Sequence, residues 1–314
     1  MSRSHVALLL AGWLGSAAAA QPAVSASQAA PPPPVQPLDQ PLSAPAPTPA
    51  ANPSPKLVAG AHWHLAADPD AYSIVSAGSG VSLHKPMYFE PATYSPQYNG
   101  KRTEVVFQLS LKLKLFTFPS PGALYLGYTQ KSFWDAYDGA DSRPFRETNY
   151  NPELFYRYIP SDVAKWHHLG IDIGAEHQSN GKGLVDSRSW NRIYLAPFQA
   201  EGNHLIYWKW WYRIPERAKT GPQDSGGDDN PDIQDYYGYS ELHYEQQLFS
   251  EHLLHVMLRF NPATSRGAVE LQYSIPGPGD RFFWGLIVFS GYGDSLIDYN
   301  RSVTRIGLAL MLTR

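Results

Sequence analysis

The 314-residue sequence contains no cysteine. That excludes disulfides and thiolate chemistry, so stability and reactivity have to come from other side chains. Charge is balanced as well as sparse: 25 Lys and Arg stand against 28 Asp and Glu, a formal net charge of −3. With no basic stripe, that balance argues against nucleic acid as a partner. A long apolar run is missing too. The stretch Val6 to Leu14 is mostly apolar but too short to cross a bilayer as a helix. What the sequence does have is aromatic residues, 13% of the chain, gathered in strand-like segments.

The chain opens MSRSHVALLLAGWLGSAAAAQ. A basic start, an apolar run and small residues up to Ala20 have the form of a secretory signal peptide, residues 1–20, with cleavage expected after Ala20. No cysteine follows, which excludes anchoring through a lipidated cysteine. Residues 21–56 are dominated by Ala, Pro, Gln and Ser, with four consecutive prolines from Pro31 to Pro34. That composition offers too little apolar surface to offset the entropy of ordering, and it reads as an extended, disordered linker. Residues 57–314 are left for one large domain.

Within that domain the dominant signal has a period of two. Val105, Phe107, Leu109, Leu111, Leu113 and Leu115 alternate with positions that include Gln108, Ser110, Lys112 and Lys114. From Ile206 to Ile214 the even positions are Ile, Trp, Trp, Tyr and Ile, while the odd ones include Lys209 and Arg213. Leu254 to Phe260 and Arg305 to Leu312 repeat the pattern. A soluble sandwich alternates in the same way, so the strands alone leave the class open.

Connection lengths separate the two. Strands are expected near 81–88, 104–116, 121–132, 152–158, 166–177, 188–198, 205–214, 234–246, 249–260, 266–275, 281–291 and 302–312. Long links at 89–103, 133–151, 178–187, 215–233 and 292–301 then alternate with short ones, and only 261–265 is short where a long link is due. This spacing predicts an all-β fold, a transmembrane β-barrel of about twelve antiparallel strands with apolar faces towards lipid and Lys/Arg faces inside. A periplasmic N-terminus would put the link 178–187 on the outer side of a bacterial outer membrane.

The stretch Glu176 to Arg192, EHQSNGKGLVDSRSWNR, carries the chemistry. Ile171, Ile173, Ala175 and His177 share one strand face, and Asn191, Ile193 and Leu195 share another. A histidine and an asparagine therefore continue apolar faces on either side of one loop, with Ser179 two residues beyond the histidine. Serine becomes a nucleophile when an imidazole takes its proton, and a third group fixes the imidazole tautomer. The plainer reading is that both strands end here and the side chains are solvated.

That stretch, together with SRPFRETNYNPELF (Ser142 to Phe155), DDNPDI (Asp228 to Ile233) and SGYGDSLIDYN (Ser290 to Asn300), resembles the outer membrane phospholipase A family. The resemblance covers roughly His84 to Leu312. It implies a twelve-stranded barrel that cleaves acyl esters of phospholipids and lysophospholipids, with phospholipase A1 and A2 activity and a requirement for calcium. Ser179 would be the nucleophile, His177 the general base and Asn191 the group that orients the imidazole. A neutral amide in that last role largely avoids the desolvation cost a carboxylate would meet on a lipid-facing surface. The backbone N–H of Gly181 would serve the oxyanion. Calcium would take the Ser142 hydroxyl, the Lys182 backbone carbonyl and the Ser187 hydroxyl, a set without carboxylates that would bind weakly and be completed by water. At position 182 lysine stands where the family pattern has arginine, a change that a backbone ligand tolerates.

The resemblance further implies a reversible homodimer joined through lipid-facing surfaces, with Gln130 at the interface. Gln130 shares a strand face with Leu124, Leu126 and Tyr128. A lone amide there would be unsatisfied in a monomer, at a cost of roughly 1–3 kcal/mol, unless it reaches the headgroups. Other features read as structural. Asp228, Asp229 and Asp232 around Pro231 suit a turn capped by carboxylates better than a second cation site. Trp208, Trp210, Trp211 and Tyr212 suit lipid-facing and interfacial positions, and His167 and His168 an exposed turn. The chain ends Leu-Thr-Arg, without the terminal aromatic common in such barrels, so an internal assembly signal or a different terminus is expected. A catalytically silent barrel with a structural or transport role is the alternative, and the intact His177/Ser179/Asn191 set argues against it.

Overall fold

The computed structural model describes residues 80–96, 102–119, 122–141, 143–160, 169–201, 203–224, 226–278 and 282–312. The expected signal peptide and linker, Ser142, His167 and His168 lie outside the described residues. Alternating segments become the strands β1 (Val81–Leu83), β2 (Tyr88–Tyr94), β3 (Thr103–Thr117), β4 (Gly122–Trp134), β5 (Phe145–Tyr158), β6 (Leu169–Ser179) and β7 (Ser189–Glu201). The series continues with β8 (His204–Arg213), a short helix α1 (Ile233–Tyr237), β9 (Ser240–Gln247), β10 (Leu253–Asn261), β11 (Arg266–Pro276), β12 (Phe283–Tyr292) and β13 (Ser302–Met311). Each strand from β2 to β13 pairs antiparallel with the next, and β13 pairs back onto β2. The result is a closed twelve-stranded barrel, with β1 as an extra strand on β3. No helix among the described residues is long and apolar enough to cross a membrane.

Parity sorts the two faces. On β3 Leu109, Leu111, Leu113 and Leu115 are exposed, whereas Lys112 is almost completely buried. The inside carries charge in pairs. Arg305 reaches Glu90 at 2.5 Å and Asp294 at 2.9 Å, and Arg157 grips Asp172 with two contacts of 2.7 Å. Glu176 meets Lys209 at 2.9 Å and Arg192 at 3.0 Å. A buried charge is tolerable only when such partners offset its desolvation. Towards the end where β6 meets β7, Trp190, Tyr194, Trp211, Ile233, Tyr237, Leu296 and Tyr299 form an apolar cluster behind that hairpin.

Several expected boundaries shift, each for a physical reason. The first strand, expected at 81–88, is two pieces: β1 pairs with Leu111–Leu113 and β2 with the earlier part of β3. Beyond Tyr88, β2 lies inside the expected loop 89–103. Its Pro91 cannot donate to a ladder, and the pairings on both sides of β2 slip in register there. β5 starts at Phe145 rather than near 152, because Glu147, Asn149 and Asn151 point into the barrel, where polar side chains belong. Residues 234–237, expected as the start of a strand, belong to α1, whose Ile233 and Tyr237 fall one turn apart and are buried together. The strand expected at 249–260 begins only at Leu253, after a 3₁₀ turn at Phe249–Glu251. Trp208 and Tyr212 are exposed as expected, but Trp211 is buried in the interior cluster, as its odd position dictates.

Candidate active site

β6 and β7 form a hairpin whose register sets His177 directly opposite Asn191, Gln178 opposite Trp190 and Ser179 opposite Ser189. The neighbours of His177 and Asn191 on that face, Ile173, Ile193 and Leu195, are between 40% and 50% exposed. The pair is therefore carried on the outward surface. His177 Nδ1 and Asn191 Oδ1 are 2.9 Å apart, and Asn191 Nδ2 donates to Glu216 Oε1 at 2.7 Å. The second contact fixes the first. A carboxylate only accepts, so the amide must present its NH₂ to Glu216 and its oxygen to the imidazole. An oxygen in turn only accepts, so Nδ1 carries the ring proton and Nε2 is left with its lone pair, the tautomer a general base needs.

Ser179 is the last residue of β6, not a loop residue, and lies on the same outward face two steps from His177. Among the described residues no hydrogen bond joins its hydroxyl to the ring. Nucleophile–base contacts are often loose before substrate binds.

The loop that follows is tied down by one side chain that sequence reasoning passed over. Asn180 is buried, and its Nδ2 donates to the Asp186 carbonyl at 2.8 Å and to Glu147 Oε2 at 3.4 Å. Its Oδ1 accepts from the Arg188 and Lys182 backbone N–H groups at 2.9 and 3.3 Å. Asn-Gly was a turn signal available in the sequence. Gly181 follows with φ of +65°, a left-handed conformation natural to glycine, and a Cβ there would sit 3.1 Å from the Tyr150 ring. Ser187 donates to Asp229 Oδ2 at 2.7 Å, as does Ser189 at 3.0 Å, and Lys219 pairs with the same carboxylate. Asp228 pairs with Arg213 and accepts the Asn230 N–H. Both carboxylates are thus occupied by protein groups, as a capped turn requires, and no cluster of His, Asp or Glu able to hold a metal occurs among the described residues.

The implied calcium donors fit a hard cation in kind. No donor among the described residues claims the Lys182 carbonyl, and Ser187, by giving its proton to Asp229, keeps oxygen lone pairs for a cation. The Lys182 ammonium turns back to the Arg146 carbonyl at 2.6 Å, so it does not crowd that position.

Residues 73–312 match the family model for phospholipase A1. The chain belongs to that family. The phospholipase is 39% identical over 223 residues to the phospholipase A1 of Klebsiella pneumoniae, covering 70% of this chain and 74% of that one. To the phospholipase A1 of Escherichia coli K12 it is 38% identical over 224 residues, covering 70% and 73%. A Neisseria meningitidis relative is 36% identical over 256 residues, and the match spans 74% of this chain but just under two thirds of that protein, 65%. Among solved structures, outer membrane phospholipase A from E. coli superposes with a TM-score of 0.67 at 33% identity, covering 74% of this chain and 94% of that one. The Salmonella typhi outer membrane phospholipase dimer with bound calcium gives 0.69 at 33% identity, covering 82% and 98%. An E. coli active-site mutant, in which an asparagine is replaced by alanine, gives 0.66 at 33% identity, covering 74% and 91%. This phospholipase is accordingly an outer-membrane β-barrel enzyme.

In the phospholipase Gln130 sits half-buried on the outward face of β4, and its surroundings differ from the expectation. Its amide is not unsatisfied in the single chain. Tyr128 donates to Gln130 Oε1 at 3.0 Å, and Gln130 Nε2 donates to Ser132 at 3.2 Å. Residues i and i+2 on one strand face are close enough to bond to each other, a possibility the sequence reading did not weigh.

Proposed function

We propose that this phospholipase is a calcium-dependent serine hydrolase acting on phospholipids and lysophospholipids from the lipid-facing side of its barrel. The observation that carries the reading is the 2.9 Å contact between His177 and Asn191 on an outward apolar face. A soluble substrate would find no reason for a tautomer-fixed imidazole there, whereas an acyl ester in the outer leaflet lies alongside it. His177 Nε2 takes the Ser179 proton as Oγ attacks the ester carbonyl. The proton then passes to the departing glycerol oxygen, leaving an acyl-serine. Water, deprotonated by the same imidazole, releases the fatty acid and restores the serine hydroxyl. The Gly181 N–H, on a backbone that only the left-handed turn provides, is the donor for the oxyanion. Calcium held by Ser142, the Lys182 carbonyl and Ser187 would supply positive charge beside the developing oxyanion. The active state is a homodimer, as the calcium-bound dimer of the Salmonella typhi relative suggests, and the asparagine role finds support in the E. coli active-site mutant.

The test is fatty-acid release from detergent-dispersed phospholipid, with calcium or with EDTA, for wild type and Ser179→Ala. Wild type should be active only with calcium, and Ser179→Ala inactive at equal folded yield. A nucleophile lost from a serine–histidine unit costs on the order of 10⁴-fold or more in turnover. A folded Ser179→Ala protein that kept a tenth of wild-type turnover would end the assignment.

A further inference from the structure

We infer that Glu216 is a positioning residue of this site, a carboxylate at the barrel rim that orients and polarises Asn191. The inference rests on the triad reading above. Glu216 lies outside every sequence block that carries the family resemblance, and its contact with Asn191 is among the shorter side-chain hydrogen bonds of the outer surface, 2.7 Å.

The fold leads Glu216 there. β7 and β8 pair with Arg192 opposite Arg213, and the ladder continues one step as the Ile214 N–H donates to the Asn191 carbonyl at 2.8 Å. Tyr212, Ile214 and Glu216 then follow one another on the outward side, Tyr212 and Ile214 exposed and Glu216 half-buried. The cations beside Glu216 are engaged elsewhere. Arg217 is held by Asp224 through contacts of 2.6 and 2.9 Å, and Arg213 points inward to Asp228 at 2.5 Å. The Glu216 carboxylate is thereby left facing the Asn191 amide.

Two consequences follow from its chemistry. A carboxylate accepting from Nδ2 blocks rotation of the amide, and a rotated amide would offer an NH₂ to the Nδ1 proton and force the wrong tautomer. The same bond draws electron density towards Oδ1, so the neutral asparagine acts on the imidazolium with part of the strength of an aspartate. A direct aspartate would stand next to Ile193 and Leu195 on the lipid face. Two residues further out, in the link after β8, a negative charge is far cheaper to keep hydrated. The site thus places its charge at one remove.

The experiment uses the full chain in detergent micelles with calcium and compares Glu216→Gln, Glu216→Ala, Asn191→Ala, Asn191→Asp and Asn191→Asp combined with Glu216→Gln. Glu216→Gln keeps an acceptor but loses the charge. It should lower kcat roughly 10-fold, the scale on which a partner of a reactive group's partner acts, with KM and barrel melting unchanged. The acid limb of its kcat/KM profile should move to lower pH, because an imidazolium without the nearby negative charge gives up its proton more readily. Glu216→Ala should lose more. Asn191→Asp should be poorer in the wild-type background than in the Glu216→Gln background, because two carboxylates at hydrogen-bond distance resist ionising together. A purely structural Glu216 would shift melting without moving the pH limb or reversing the order of those two proteins. If Asn191→Ala is fully active, the triad reading itself fails. If Asn191→Ala is impaired while Glu216→Gln matches wild type in kcat and pH limb, the triad stands and the role of Glu216 is overturned.

Discussion

At the scale of single residues, the site depends on which atoms can donate and which can only accept. Glu216 fixes the Asn191 amide, the amide fixes the His177 tautomer, and the tautomer gives Nε2 its lone pair. Parity in the sequence put His177 and Asn191 on outward apolar faces, and the register of β6 and β7 sets the two directly opposite each other, whereas Ser179, expected in the loop, closes β6 instead. Glu216 was not legible, since nothing in a link after a strand marks which residue turns back. Asn180 was half-legible: Asn-Gly promised a turn, but not that one side chain would hold three groups of the loop and Glu147 of β5. Gly181 makes the sharpest single-residue prediction. Alanine at φ of +65° costs about 1 kcal/mol, and its Cβ would press on the Tyr150 ring. Relief by rotating the peptide would swing away the N–H proposed for the oxyanion, a donor worth on the order of 100-fold in kcat. Gly181→Ala should therefore lose most of its kcat at nearly unchanged KM and melting temperature, which steady-state kinetics beside a thermal melt would check. Unchanged kcat would remove Gly181 from the oxyanion site.

At the scale of elements, legibility followed the faces. Strands whose outward residues are apolar and whose inward ones are cationic, such as β3 and β8, announced themselves. β5 did so only in part, because the Glu147, Asn149 and Asn151 that fill its inward face look like loop residues until one knows the interior is polar. β2 was hidden by Pro91. The connections mattered as much as the strands. The link between β8 and β9 returns to the β6–β7 hairpin through Asp229, whose carboxylate accepts from Ser187, Ser189 and Lys219. Partial burial works to raise its carboxyl, but the hydrogen bonds from Lys219, Ser187 and Ser189 outweigh that and hold it below the usual range. A depressed value means the clamp contributes fully above the unfolded pKa, about 3.9 for an aspartate, and is lost only as pH falls through the folded value. It is therefore intact at every pH where a neutral imidazole can act. Asp229→Asn removes the charge that orients the Ser187 hydroxyl, and should raise the calcium concentration for half-maximal activity several-fold while leaving kcat at saturating calcium close to wild type. Calcium titrations of fatty-acid release would show it, and an unaltered midpoint would detach Ser187 from the calcium site or Asp229 from Ser187.

At the scale of the whole molecule, the barrel is inverted relative to a soluble domain, with ion pairs inside and leucine, isoleucine and aromatic rings outside. Two such outward faces can join in a dimer without a hydrophobic driving force, since lipid is as apolar as the partner. What favours association then is polar. The Gln130 amide spends one acceptor site on Tyr128 and one N–H on Ser132, yet a primary amide has two N–H groups and an oxygen with two lone pairs. One donor and one acceptor site remain beyond those two bonds, enough for a reciprocal pair with the same residue of a second copy across a two-fold axis. Each hydrogen bond of that kind is worth about 1 kcal/mol, so losing both should weaken the dimer roughly 30-fold. Because the two bonds along β4 satisfy part of the amide in the monomer, Gln130→Ala should leave barrel melting almost unchanged. We expect sedimentation in detergent, with calcium and a non-hydrolysable substrate analogue, to find wild type largely dimeric at concentrations where Gln130→Ala is largely monomeric, with activity per dimer conserved. Identical distributions for the two proteins would remove Gln130 from the interface, and an active wild type that stayed monomeric in every condition would remove the dimer itself.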